Sequence, residues 1–421
     1  MQGDGTREAG EGRLAGTFAA LRHRNYRLWF LGQLVSLLGS WMQITAQGYL
    51  VYQLTHSPGY LGLVAFASGV PSWALMLVGG VAADRFPRRR LIALANLGLM
   101  TLSAALAALT FTGAVQPWHV VGLSLLGGVA NAFDAPARQA FVLELVGRAR
   151  LTNAIALNSF MFNLATAVGP AAAGATYTLV GPGWCFAINA LSFVGVLVAL
   201  ALMRLEPRPP APARDSALAE LREGLGFARS HPDVRRVLVL VAGLSVFGFS
   251  FVTLVPAWAV QVLGGDATTT GLLQSARGVG ALAGALAVAT FARPDVLRTT
   301  LRLTSVLFPL ALLAFAAMRS QALALATMIA VGASMMVTLN LCNALLQTLV
   351  PDALRGRVMA IYGLALFGGM PLGGLLAGAL AEQLGEPSAV ALGAGVTLLF
   401  ALAARARDEV RGRSCADGRA A

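Results

Sequence analysis

Long apolar runs separated by short polar turns repeat along nearly the whole chain, a pattern that predicts membrane-crossing helices rather than a water-soluble core. A helix needs about 20 predominantly apolar residues to cross a hydrocarbon layer of about 30 Å. Windows of that kind run from Leu28 to Leu54, Tyr60 to Ala83, Leu91 to Phe111, Val120 to Phe141, Ala154 to Val180 and Cys185 to Met203. A second set runs from Val237 to Leu263, Thr270 to Phe291, Leu303 to Ala317, Ala322 to Leu349, Val358 to Ala381 and Ala389 to Ala404, giving twelve predicted spans. The densest polar interruption is Gly80-Val81-Ala82-Ala83-Asp84-Arg85-Phe86-Pro87-Arg88-Arg89-Arg90, between spans two and three. So many charges are too costly inside hydrocarbon, so this loop belongs at a water interface.

Composition agrees with the pattern: 57% of residues are hydrophobic, 12% are charged and the mean hydropathy is +0.70. All 31 basic residues are arginine, and 29 of them fall before span one, after span twelve, or at junctions that twelve spans place on that same side, counting Arg138 at the last turn of span four with the junction that follows it. The positive-inside rule makes that side cytoplasmic and puts both termini there. Turns on the opposite face, such as Thr55-His56-Ser57-Pro58 and Val180-Gly181-Pro182-Gly183, carry no arginine; Arg277 and Arg319 are the two exceptions. The formal charge of +12 is therefore spread over loops between membrane spans. It reports orientation and headgroup contact rather than a nucleic-acid partner.

Residues 1–24 are Gly-rich and polar, without the apolar core of a secretory signal, and are expected to form a cytoplasmic tail. Cys185, Cys342 and Cys415 are widely separated, and His23, His56, His119 and His231 lack ligand spacing, so neither a disulfide framework nor a metal site is expected. The chain divides into similar halves, residues 25–204 and 237–404, with a cytoplasmic tail over 405–421. The parallel shows best where Ala140-Phe141-Val142-Leu143-Glu144-Leu145-Val146 matches Ala344-Leu345-Leu346-Gln347-Thr348-Leu349-Val350 at Ala, Leu and Val. Between the halves, residues 205–236 begin with a proline-rich stretch that cannot be helical. They continue in an amphipathic helix, Ala217 to Arg229, with Leu218, Leu221, Leu225 and Ala228 on one face.

Parallel six-helix halves joined by a cytoplasmic linker are the layout of major facilitator transporters, and three stretches resemble that superfamily. Gly80-x-x-x-Asp84-Arg85-x-x-Arg88-Arg89 is similar to its signature loop between helices two and three, with Pro87 where the family usually has Gly. The resemblance implies that the Gly allows close helix packing. It also implies that the Asp faces a helix N-terminus of the other half and engages arginines, latching the outward-open-side geometry and releasing on switching. A topogenic basic loop is the plainer reading, above all for Arg90. Gly169-Pro170-Ala171-Ala172-Ala173-Gly174 in span five resembles the Gly-Pro motif of drug and proton antiporters, which implies export; small-residue packing alone is the alternative. Asp134-Ala135-Pro136-Ala137-Arg138, Leu151-Thr152-Asn153-Ala154 and Pro351-Asp352-x-x-Arg355-Gly356-Arg357-Val358 resemble the branch that includes the enterobactin exporter and related efflux proteins.

Charged residues within spans are candidates for coupling because hydrocarbon disfavours them. Arg277 lies roughly 14 Å deep in span eight by helix rise. There it either attracts an acidic substrate group in a central cavity or pairs with backbone carbonyls. Asp134 has Arg138 one turn later, and by resemblance completes a charge relay with Arg88, in a gating or a proton-carrying role. The first span has no carboxylate, where drug antiporters often carry one. It offers instead a polar stripe of Gln33, Ser36, Ser40, Gln43 and Gln47 that lines a cavity or binds a neighbouring helix. Asn158, Asn163, Asn340 and Asn343 are weaker candidates of the same kind.

The expectation is an all-α, twelve-helix transporter of the bacterial inner membrane, a monomer exporting a small organic molecule such as a drug or siderophore-like metabolite by alternating access. No Gly-Lys-Ser/Thr phosphate loop is present, so the drive is expected from a proton gradient rather than ATP, without a cofactor. Import by the same fold and a non-transporting sensor or assembly subunit are the rival readings. No span presents the paired acids, Ser/His/Asp set or metal cluster of an intramembrane enzyme.

Overall fold

Helices dominate the computed structural model, which describes residues 19–147, 150–204, 217–291 and 297–417. Most of the N-terminal tail, residues 148–149, the proline-rich start of the linker, the loop 292–296 and the last four residues lie outside the described residues, with the arginines counted there. Of the described residues 92% are helical, and they include no strand. Among the described residues ten helices are long and apolar enough to cross a membrane, and a pair bent by 47°, Pro58–Ala74 and Met76–Arg85, brings an eleventh. Span one, Arg24–Thr55, has 32 residues and ample length. Its recurring Gln and Ser side chains lower its hydropathy, so length rather than composition marks it as a span.

Spans three to six are Arg88–Phe111, Pro117–Val146, Leu151–Val180 and Pro182–Leu202. Spans eight to twelve are Ala267–Phe291, Leu297–Ala317, Gln321–Leu349, Asp352–Leu384 and Glu386–Asp417. Span nine thus starts six residues earlier than hydropathy alone suggests, and span twelve runs well beyond Ala404.

Spans two and seven depart from straight helices. Pro71 has no N–H to give the preceding turn, and span two breaks at Leu75. Span seven, Pro232–Gly243 and Phe251–Gln261, is joined by a π turn over Leu244–Gly248, where the Phe249 N–H reaches Leu244 O at 2.9 Å. Gly369 and Gly373 of span eleven admit that bulge: a Cβ on Gly369 would stand 2.6 Å from Ser245 Oγ, and one on Gly373 would collide with the Val246 carbonyl. The Ser245 hydroxyl donates to Leu366 O across the same contact.

Pairings within the first six spans recur in the last six. Span two packs on four as eight packs on ten; three packs on four and six as nine packs on ten and twelve; one packs on five and six as seven packs on eleven and twelve. The large contacts between the two sets are span two on eleven and span five on eight, which exchange under the same correspondence. The linker helix, Ala217–Ser230, docks on span eleven through Gly224 against Arg357 and Ile361, and Glu223 pairs with Arg357. Its buried side includes Gly224 and Ala228, whereas Leu225, expected on the apolar face, is exposed. Docking on a protein neighbour sets this face, and glycine permits the closest approach.

Candidate functional site

Two seams of small residues hold the halves together, both on the side of the arginine-free turns. Gly62 lies against the Gly374 carbonyl, where a Cβ would approach to 2.7 Å, and Gly378 meets the Pro58 carbonyl equally closely. In the second seam a Cβ on Gly174 would stand 2.8 Å from Ala267 O, while one on Gly271 would collide with Pro170 O and one on Gly278 with Thr166 O. Backbone faces backbone at each point, so no side chain can move aside. At the outer end of the first seam, Glu382 of span eleven accepts a hydrogen bond from Ser57 Oγ at 2.7 Å and from Gly59 N at 3.0 Å. A carboxylate at the first turn of span two is favoured by the exposed N–H groups there.

Inside this closed end lies a cavity of about 530 Å³. Spans one, two, three, four and six build most of its wall, and Val252, Thr253, Pro256 and Gln274 close it from the other half. Its polar wall is uncharged and linked: Asn189 Nδ2 donates to Gln43 Oε1 at 2.7 Å and lies 3.3 Å from Ser103 Oγ, and Gln47 Nε2 donates to Ser124 Oγ at 2.8 Å. Gln274 Oε1 is buried without a hydrogen-bond partner. Trp41 and Phe193 add aromatic surface. Such a wall suits a mixed polar and apolar organic molecule.

Gln43, Gln47 and Ser40 of the first-span stripe line this cavity, whereas Gln33 and Ser36 are buried beyond it. The two ends of the stripe therefore do different work, because Gln33 accepts from Arg138 Nη1 at 3.3 Å and belongs to the charge network. Asn158, Asn163, Asn340 and Arg277 are not among the lining residues. Asn158 accepts from the Tyr26 hydroxyl at 3.2 Å, and Asn163 donates to Ser159 O of its own helix at 2.8 Å. Asn340 is half-buried on span ten. Arg277 is 6% exposed, one turn from the cavity-lining Gln274; its carbonyl meets Gly332 of span ten and its Nε has no hydrogen-bond partner. Sequence inspection missed Asn189, Ser124, Ser103 and Gln274, although a lone Asn within an otherwise apolar span six was the available signal.

The charge network sits at the other end of the N-terminal half. Asp134 is 2% exposed, pairs with Arg138 Nε at 2.7 Å, and accepts from Asn96 Nδ2 at 2.9 Å. The expected link from Asp134 to Arg88 is replaced: Arg88 pairs with Glu144 at 3.3 Å and reaches Asp84 only at 3.9 Å. One helical turn keeps Arg138 beside Asp134, while Arg88, at the start of span three, lies nearer the end of span four and finds the carboxylate there. Asp84 is about half exposed, and the contact described for it is within its own half. Arg89 caps span six, donating to Ala201 O at 3.2 Å. Arg85 ends the second segment of span two.

The glycine expected to pack closely in the signature loop is Gly79 rather than Gly80. A Cβ on Gly79 would collide with Ala132 O of span four, whereas one on Gly80 would meet nothing within 4 Å. Helix rotation places one residue of the pair inward and the next outward. In the span-five motif, Gly169 packs on span one, with Trp41 Cβ 2.7 Å from a built Cβ, and Gly174 packs on span eight. Pro170 lies between them with its carbonyl against Gly271, so the motif forms part of the seam between halves.

A family profile described as transmembrane secretion effector matches residues 15–420. The chain is 26% identical over 367 residues to the staphyloferrin A transporter of Staphylococcus aureus, covering 85% of this chain and 90% of that one. It is 28% identical over 357 residues to the multidrug efflux pump Tap of Mycolicibacterium fortuitum (82% and 87% covered). It is 29% identical over 388 residues to the enterobactin exporter EntS of Shigella boydii (90% of each). Among solved structures, an inward-facing bacterial homologue of the human lysosomal transporter Spinster superposes with a TM-score of 0.67 at 15% identity, covering 91% of this chain and 96% of that one.

Proposed function

The chain belongs to the transmembrane secretion effector family of major facilitator transporters, and on that premise we propose that it exports a small organic molecule by alternating access. The observation that carries this reading is the cavity between the halves, closed on one side by two glycine seams and walled by uncharged polar and aromatic side chains. The arginine-rich ends lie in the cytoplasm of a bacterial inner-membrane protein, so the cavity is sealed from outside and loads from inside. Residues 25–204 and 237–404 rock about the cavity as six-helix units, and a single copy of the chain suffices. The related proteins' names speak for siderophore-like or drug-like cargo.

Proton antiport supplies the drive in this reading. Asp134, buried with Arg138 and Asn96, has the surroundings in which an exchange of partners alters proton affinity, and Asp84 is free to change partners on switching. Arg277 serves acidic cargo if the cavity extends to it in another conformation. Susceptibility profiling of an expressing strain against dyes, antibiotics and siderophores, followed by uptake of each hit into inside-out vesicles, tests the assignment. Uptake that collapses with an uncoupler supports proton-driven export; uptake indifferent to the uncoupler is facilitated diffusion. Failure of every hit to accumulate in vesicles would return the sensor or assembly-subunit reading.

A further inference from the structure

An open groove of about 660 Å³ lies between spans three and four on their outward side. It follows span three from Leu91, near the arginine-bearing end, to Leu102, about 16 Å by helix rise and so about half the hydrocarbon thickness. Leu94, Leu97 and Leu126 on its rim are 46–68% exposed in the protein alone. Among the described residues lining it, Thr101 has the one polar side chain, and its hydroxyl donates to Leu97 O of the same helix at 2.9 Å. Leu102 lines both this groove and the central cavity, and Leu99, one turn earlier, belongs to the cavity wall with Gly127 of span four. One layer of side chains therefore separates the two spaces. Glycine keeps that layer thin: a Cβ on Gly127 would meet only Leu99 Cδ2, at 4.0 Å, and one on Gly98 would meet nothing within 4 Å. The neighbouring Gly128, by contrast, is pressed against the Ser68 carbonyl of span two. Span four thus packs tightly on span two and loosely on span three. Asn96 and Asp134 tie spans three and four at 2.9 Å; from there toward the arginine-free end no further hydrogen bond joins these two spans among the described residues.

We infer that this groove is a lateral entrance, through which an uncharged, lipid-soluble organic molecule passes from the bilayer into the cavity between Leu99 and Leu102 of span three and Gly127 of span four. The inference rests on the export reading and narrows its cargo. Continuity with the cavity identifies the occupant: a molecule seated in the groove has only the Leu99–Leu102 layer between it and the cargo site. The groove keeps apolar surface out of water along the whole path, whereas a charged molecule would lose its hydration there with no side chain to replace it. Just beyond the wall, the linked amides Gln43 and Asn189 and the Gln47–Ser124 pair receive the polar part of the molecule. Rotation of the Leu99 and Leu102 side chains opens the passage, and the loose contact at Gly127 leaves them room to turn.

The test places a single reactive cysteine, S40C, in the cavity wall of the full chain, with Cys415 replaced by Ser and Cys185 and Cys342 buried. In phosphatidylcholine nanodiscs, its reaction with a lipid-soluble pyrenyl maleimide is compared with its reaction with a charged, water-soluble stilbene-disulfonate maleimide. G98F fills the groove from a position outside the cavity wall, and is expected to slow the pyrenyl reaction about tenfold, an added barrier of about 1.4 kcal/mol. The charged reagent, which enters through water, should react as before. G122F, at a glycine of span four that also has nothing within 4 Å but lies outside the groove, should change neither rate. Should G98F fail to insert, T101F on the exposed groove wall is expected to act in the same way. An undiminished pyrenyl reaction in folded G98F and T101F would overturn the entrance and leave the groove a seat for lipid; equal slowing of both reagents would overturn it as a collapse of the cavity. Labelling requires no transport, so either result leaves the export reading standing, and that reading fails separately, in vesicle uptake.

Discussion

Adding one methyl group at Gly271 should shift the transporter between its two conformations. The new Cβ would collide with the Pro170 carbonyl oxygen and stand 3.1 Å from both Cα and N of Gly174. All three atoms are backbone, so relief requires spans five and eight to separate. Overpacking of this kind costs about 1–3 kcal/mol. If the seam parts when the cavity opens outward, the cost falls on the sealed state alone, and the outward population rises by about 5- to 150-fold. A cysteine at Ser40, in the cavity wall, provides the readout: Cys185 and Cys342 are buried, and Cys415 is replaced by Ser. Labelling of S40C by a membrane-impermeant maleimide on intact cells should rise in G271A relative to the Gly271 background. Unchanged labelling in a folded, inserted G271A protein would refute the reasoning, since the seam would then be a permanent helix contact rather than a gate.

Three other substitutions separate the parts of the site. G80A should leave both thermal stability and flux close to the parent, because nothing lies within 4 Å of the new methyl, whereas G79A should lower the Tm of the purified protein through its clash with span four. D134A should destabilise by about 1–3 kcal/mol, below the full cost of breaking a buried pair because Arg138 is about a third exposed; D84A, with its long half-exposed contact, should cost less than about 1 kcal/mol. Denaturation of the two variants side by side, with R138Q and the double variant D134A/R138Q, measures that difference. Q47L removes the bond to Ser124, costs about 1 kcal/mol, and should alter which compounds an expressing strain resists while leaving protein abundance nearly constant.

Much of the architecture was legible in the chain because membrane spans announce themselves locally, through runs of apolar residues and arginine at alternate turns. The breaks were not. Pro71 was visible, but a proline bends one span sharply and leaves another nearly straight according to its neighbours, and span four keeps Pro136 within an unbroken helix. The π turn at Leu244–Gly248 depends on two glycines more than a hundred residues away on span eleven. In the site, Asp134 and Arg138 could be paired from their spacing of four. Arg88 and Glu144 could not, since 56 residues separate them and only folding sets which acid meets the arginine. The choice of Gly79 over Gly80 is a matter of helix rotation, which a motif alone does not fix.

The central claim, that transport requires the sealed end to open, is tested most directly by a reversible lock. A Cβ on Gly374 would lie 3.1 Å from Ala65 Cβ across the span two and span eleven seam, close enough for small adjustments to reach disulfide geometry. With A65C/G374C oxidised, vesicle uptake of a transported compound should vanish, and a reductant should restore it. Undiminished uptake with the cross-link formed in nearly all molecules would contradict alternating access about this cavity.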